Sequence, residues 1–114
     1  MKTSKLEINS MNIEELEYML KKNGEAIVFQ GCGGNMREWI VGVNEMFMEE
    51  EIIKKPIESI FYFRDEKINC LAFFLNDKGI NISKLSIWRL QSKEYFDCIW
   101  LSDLIDNMIY ERGM

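Results

Sequence analysis

The sequence predicts a small α+β domain, an antiparallel sheet of about three strands packed with three to four helices, on three observations. Segments with apolar residues at helical spacing open on asparagine or serine caps. Other segments are short runs of β-branched and aromatic residues bounded by glycine or turn residues. The two kinds alternate as helix, strand, helix, hairpin, helix, helix, without the strict βαβ repetition of a parallel sheet. At 114 residues the chain suffices for one core and not two, and 47% apolar content with a single proline excludes a disordered chain. With no repeat, low-complexity tract or linker, residues 1–114 read as one domain. Residues 1–10 read as a loose arm with a short strand at Leu6 to Asn9.

The segment NIEELEYMLKKNG carries Asn12 as cap, Glu15 three residues on, apolar Ile13, Leu16, Met19 and Leu20, lysines in the last turn and Gly24 as stop. Glu25 to Gln30 follows as a strand between two glycines. In the next helix Asn35 and Glu38 repeat the cap, and Met36, Trp39, Ile40, Val43, Met46 and Phe47 form an inward stripe. Arg37, Glu38, Asn44, Glu45 and Glu49 fall on the outward face. Ile57 to Arg64 and Lys67 to Asn76, joined through Asp65-Glu66, predict a hairpin. Ser83 is placed to cap a helix carrying Leu85 and Trp88, although IWRL also fits a strand. Ser102 is placed to cap DLIDNMIYER, with Leu104, Ile105, Met108 and Ile109 inward.

Composition removes whole classes of chemistry. Histidine is absent, so neither Ser-His nor Cys-His couples exist and the commonest metal ligand is missing. Cys32, Cys70 and Cys98 include no C-x-x-C pair, which fits reduced thiols rather than a disulfide framework or a zinc ribbon. No cofactor fingerprint and no metal-ligand pattern is present. Asp103 and Asp106 share a helix face but make a poor metal pair alone. A net charge of −5 and a pI near 4.8 argue against direct nucleic-acid binding and favour basic protein partners. No apolar run is long enough for a signal sequence or a membrane span, so a cytoplasmic location is expected.

The stretch FQGCGGNMRE raises the sharpest question, because a strand, a glycine turn and a helix N-terminus together can cradle an anion. The specific versions fail on inspection. A Walker A loop needs Gly-Lys-Ser/Thr where Asn35-Met36-Arg37 stands, and a dinucleotide fingerprint needs a glycine at Met36. A phosphatase loop needs arginine at position 38, where Glu38 would repel phosphate. Gly31, Gly33 and Gly34 are therefore read as a structural turn, at positions of positive φ or close packing.

Among the acidic groups, Glu45, Glu49, Glu50, Glu51, Asp103 and Asp106 are the candidate partner-binding residues, a surface able to imitate a phosphate track. Trp100 and Tyr110, aromatic and beside acids, are candidates for a protein-binding patch. No catalytic residue is assigned.

Two stretches, FQGCGGNMREWIVGVNEMF at 29–47 and KLSIWRLQSKEYFDCIWLSDLIDN at 84–107, resemble small proteins carried on plasmids, conjugative elements and phages of low-GC Gram-positive bacteria. Some proteins of this kind are type II-A anti-CRISPR inhibitors. The resemblance implies a noncatalytic inhibitor of a CRISPR effector nuclease, competing for its basic channel and blocking guide RNA loading through an acidic surface. Two alternatives stand beside it: a mobile-element accessory binder (antirestriction, antitoxin or adaptor), and a small enzyme or thiol sensor using Cys32.

Overall fold

The eight elements of the computed structural model, which describes residues 12–76 and 79–111, are α1 (Ile13–Asn23), β1 (Ala26–Gln30), α2 (Met36–Glu49), β2 (Ile60–Asp65), β3 (Ile68–Phe74), α3 (Ile82–Gln91), β4 (Cys98–Trp100) and α4 (Leu101–Glu111). The arm expected at residues 1–10 lies outside the described residues. The expected α+β class holds, with one more strand than foreseen. The four strands form one sheet in the order β2-β3-β1-β4, with every neighbouring pair antiparallel.

Side chains alternate between the two faces of a strand, so β1 and β3 serve two cores at once. Ile27, Phe29, Leu71 and Phe73 point to one face, where Ile40, Val43 and Phe47 of α2 and Leu85 and Trp88 of α3 cover them. Ala26, Val28, Cys70, Ala72 and Phe74 point to the other, against Leu16 of α1 and Leu104, Ile105 and Met108 of α4. The result is an antiparallel sheet between two helical layers, and this explains why AIVF and CLAFF read as unbroken apolar runs.

Local chemistry sets most boundaries. Asn12 and Glu15 close a reciprocal capping box at the start of α1, and Gly24, at φ 81°, stops it with an N–H bonded to the Leu20 carbonyl. The hairpin turns on Glu66 and Lys67, since Asp65 already pairs with Ile68, and Glu66 takes φ 60°. The α3 segment IWRL is helical, but its cap is Asn81, whose side chain accepts from the Lys84 N–H, and not Ser83. Asn81 prevails because its own N–H is anchored at 2.7 Å on the Ile52 carbonyl, fixing the chain there in extended form. Leu85 and Trp88 of α3 are buried, whereas Ile87 and Leu90 are exposed.

Two further corrections concern tertiary hydrogen bonds. Ser102 does not cap α4, because β4 runs directly into that helix and leaves no room for a local cap. The Glu25 carboxylate does so from a distant part of the chain, accepting from the Ser102 N–H (3.1 Å) and hydroxyl (2.7 Å). Asn44, expected on the outer face of α2, is buried. Its amide accepts the Ile57 N–H at 2.7 Å and donates to the Ile57 carbonyl, tying the α2-to-β2 crossover to the helix.

Phe29→Ala is expected to lower unfolding stability by about 3–5 kcal/mol, since it empties the middle of the aromatic core. Glu25→Ala is expected to cost about 1 kcal/mol through loss of the α4 cap. Denaturant unfolding of the two variants should keep that order.

Candidate functional site

The glycine corner is the first place to look for a site. Gly31 and Gly34 have φ of 77° and 68°, which glycine adopts without strain, whereas Gly33 is not left-handed. A Cβ at any of the three would meet nothing within 4 Å, so backbone conformation and not close packing accounts for Gly31 and Gly34. Four amides of the corner and of the first turn of α2 are already engaged. Those of Gly31 and Cys32 donate to the Asn69 carbonyl at 2.9 and 3.2 Å, and those of Arg37 and Glu38 to the Asn35 side chain. Asn69 in turn accepts from the Tyr62 hydroxyl and donates to the Cys32 carbonyl. The corner is cross-braced to β3 as a structural turn.

Cys32 has the opposite of an activated thiol's surroundings. It is 1% exposed, its Sγ donates to the Phe29 carbonyl at 3.3 Å, and burial pushes its pKa up to about 11. Cys70 is buried too, and desolvation with the nearby Asp65 charge pushes it up to about 12. Cys98 is raised, again mainly by burial. A thiolate nucleophile needs the reverse shift and access to solvent.

The acidic candidates divide between the two layers. Glu45 and Glu49 stand exposed on α2, with Glu50 as its C-cap and Glu51 just beyond. Asp103 and Asp106 stand exposed on α4, across the sheet. The structure therefore gathers the four glutamates at one helix end and does not bring the two aspartates to them. Trp100 is partly buried beneath the Arg89 guanidinium, 5.4 Å from its ring, and Tyr110 stands almost wholly exposed on α4.

Glu51 differs from Glu45, Glu49 and Glu50 in its backbone. The end of α2 closes with the Glu51 N–H on the Met48 carbonyl and the Ile52 N–H on the Phe47 carbonyl, while Glu51 takes φ 59°. This double closure favours glycine at the left-handed position, where a side chain costs about 1 kcal/mol. Its carboxylate lies 3.7 Å from Lys84 Nζ in an exposed pair, too solvated to repay that strain.

Beside the corner lies a cleft of about 560 Å³. Trp39, Val43 and Met46 of α2 and Phe96 of the α3–β4 loop make it apolar; Gly33, Gly34 and Asn35 close one end, and Glu38 and Gly42 form part of its edge. Trp39 is fixed by its indole N–H on the Gly33 carbonyl (3.0 Å) and by an edge contact with Phe96, ring centroids 6.5 Å apart at 80°. A shallower hollow, lined by Arg37, Glu38, Val41, Gly42 and Glu45, adjoins it across Gly42. Sequence reasoning assigned Trp39 to the core and did not single out Phe96 or Gly42. The available signal was Gly42 itself, a helix-interior glycine without a turn to make. Among the described residues no group of three or more metal-ligating side chains occurs, and no helix is long and apolar enough to cross a membrane.

Two measurements follow. Gly42→Ala should raise stability by about 0.5–1 kcal/mol, because a Cβ there meets open space and improves helix propensity. The raised thiol pKa values keep Cys32 and Cys70 protonated in the folded chain after the unfolded chain has ionised. Their contribution is thus complete below about pH 9 and lost as pH rises toward 11–12. Alkaline unfolding of a Cys32→Ala, Cys70→Ala variant should show a shallower fall over that window. Comparison with known protein families, with curated proteins and with solved structures gives no match to this chain.

Proposed function

We propose that this chain is a noncatalytic protein-binding domain that inhibits a CRISPR effector nuclease, setting the acidic end of α2 against the channel that receives the guide RNA. The observation that carries the reading is the cluster Glu45, Glu49, Glu50 and Glu51, four exposed carboxylates at one helix terminus with Lys84 as the one ion-pair partner within 4.0 Å among the described residues. Glu51 adds to it, since a side chain held where glycine is favoured is consistent with a role outside the fold. A channel built for a phosphate backbone attracts such a cluster, and removal of water from opposed charges makes the contact selective. Asp103 and Asp106 occupy a separate surface, so the reading now rests on the α2 cluster alone. The resemblance of residues 29–47 and 84–107 to mobile-element proteins supplies the identity of the target, and the lack of a long apolar run supplies the cytoplasmic setting.

The test is DNA cleavage by a purified type II-A nuclease, with the protein added before or after the guide RNA. Inhibition is expected only in the first order, and no inhibition in either order would overturn the proposal. A variant with Glu45, Glu49, Glu50 and Glu51 changed to lysine should lose inhibition without losing thermal stability; undiminished inhibition would remove the cluster from the mechanism. Glu51→Gly should gain about 1 kcal/mol of stability while weakening inhibition.

A further inference from the structure

Glu38, Gly42, Glu45 and Glu49 follow one another at spacings of four, three and four residues, which places them along a single ridge of α2. Gly42 is a gap in that ridge. It joins the apolar cleft under Trp39 and Phe96 to the shallow hollow around Val41, and Glu38 and Glu45 flank it. A glycine here weakens the helix, and no neighbouring atom requires it, since a Cβ would meet nothing within 4 Å. What it provides is open space.

We propose that this notch and its cleft are the docking site for a short partner segment in which an apolar side chain is followed closely by lysine or arginine. The proposal rests on the reading that the domain binds a basic protein, and it names the contact within that surface. The apolar side chain enters between Trp39, Val43, Met46 and Phe96, while the cation sits at the notch between Glu38 and Glu45. Arg37 is the one cation among the residues lining either space, against the two carboxylates of Glu38 and Glu45, so the lining as a whole favours positive charge. A second copy of this chain is a poor occupant, because two ridges of a −5 chain would repel. The indole bond to Gly33 and the Phe96 edge contact hold Trp39 before any partner arrives, which spares the ordering cost of forming an anchor pocket.

The experiment is an NMR titration of the full chain, following the Trp39 indole N–H and the Met46 methyl group. Three capped tetrapeptides are compared: alternating leucine and lysine, alternating leucine and glutamate, and alternating serine and lysine. Saturable shifts are expected for the first, with binding at least about tenfold weaker for the other two and weakened by salt. Equal responses to all three, or none to the first, would overturn the proposal. Gly42→Leu, which fills the notch, should abolish the response. Should that variant not fold, Glu38→Gln with Glu45→Gln at exposed positions must remove the preference for lysine over glutamate. The same variants in the nuclease assay separate this inference from the functional reading. Peptide docking without nuclease inhibition would overturn the nuclease reading and leave the cleft standing. Nuclease inhibition undiminished by Gly42→Leu would overturn the cleft and leave the nuclease reading.

Discussion

Phe29 is the contact on which one half of the molecule is assembled. Its ring lies 5.5 Å from Phe73 on the next strand, 6.1 Å from Trp88 of α3, 6.2 Å from Phe96 and 6.3 Å from both Phe47 and Trp39 of α2. One side chain in β1, between β3 and β4, thus touches a neighbouring strand, both helices of one layer and the loop that leads to the fourth strand. These rings are tilted or edge-on to one another, the arrangements that the ring quadrupole favours. On the reverse of the same strands Ala26, Val28 and Ala72 are small or medium-sized, and Phe63, Phe74 and the side chains of α1 and α4 complete the second core. The sheet is therefore asymmetric, aromatic on one face and mostly aliphatic on the other.

That asymmetry bears on the candidate site. Because Trp39 and Phe96 belong to the rim of the aromatic core, the cleft beside α2 is an outward extension of packing that exists for stability. Helix α2 carries two patterns at once: the stripe Ile40, Val43, Phe47 faces the sheet, and the ridge Glu38, Glu45, Glu49 faces water. Two features work against stability here, Gly42 on the ridge and Glu51 at a left-handed position just beyond the helix, and neither belongs to the stripe. In the neighbouring glycine corner the Gly31 and Cys32 amides go to Asn69 and those of Arg37 and Glu38 to Asn35, and a carboxylate-rimmed apolar cleft lies beside it.

The sequence by itself determined the elements whose signals are local. The asparagine N-caps of α1 and α2, the α2 stripe, the hairpin and the inward faces of α1 and α4 were legible because each depends on contacts three or four residues apart, or on alternation within one strand. Gly31 and Gly34 were legible too, since only glycine adopts such φ values freely, whereas Gly33 is neither left-handed nor closely packed. Tertiary structure alone decided the rest. Strand β4 is three residues long, too short for a periodic signal, and exists because Val28 and its neighbours offer an edge to pair with. Asn44 looks polar and outward until the Ile57 backbone arrives to be satisfied, and the α4 cap comes from Glu25 because no residue beside that helix is free to supply it. The division of the acidic residues is of the same kind: Glu45 to Glu51 and Asp103 with Asp106 lie on opposite layers because strand pairing, not sequence distance, settles which face each helix covers. The cleft needed Phe96 to meet Trp39 across more than fifty residues of chain, and a contact of that range leaves no mark on the local pattern of either segment.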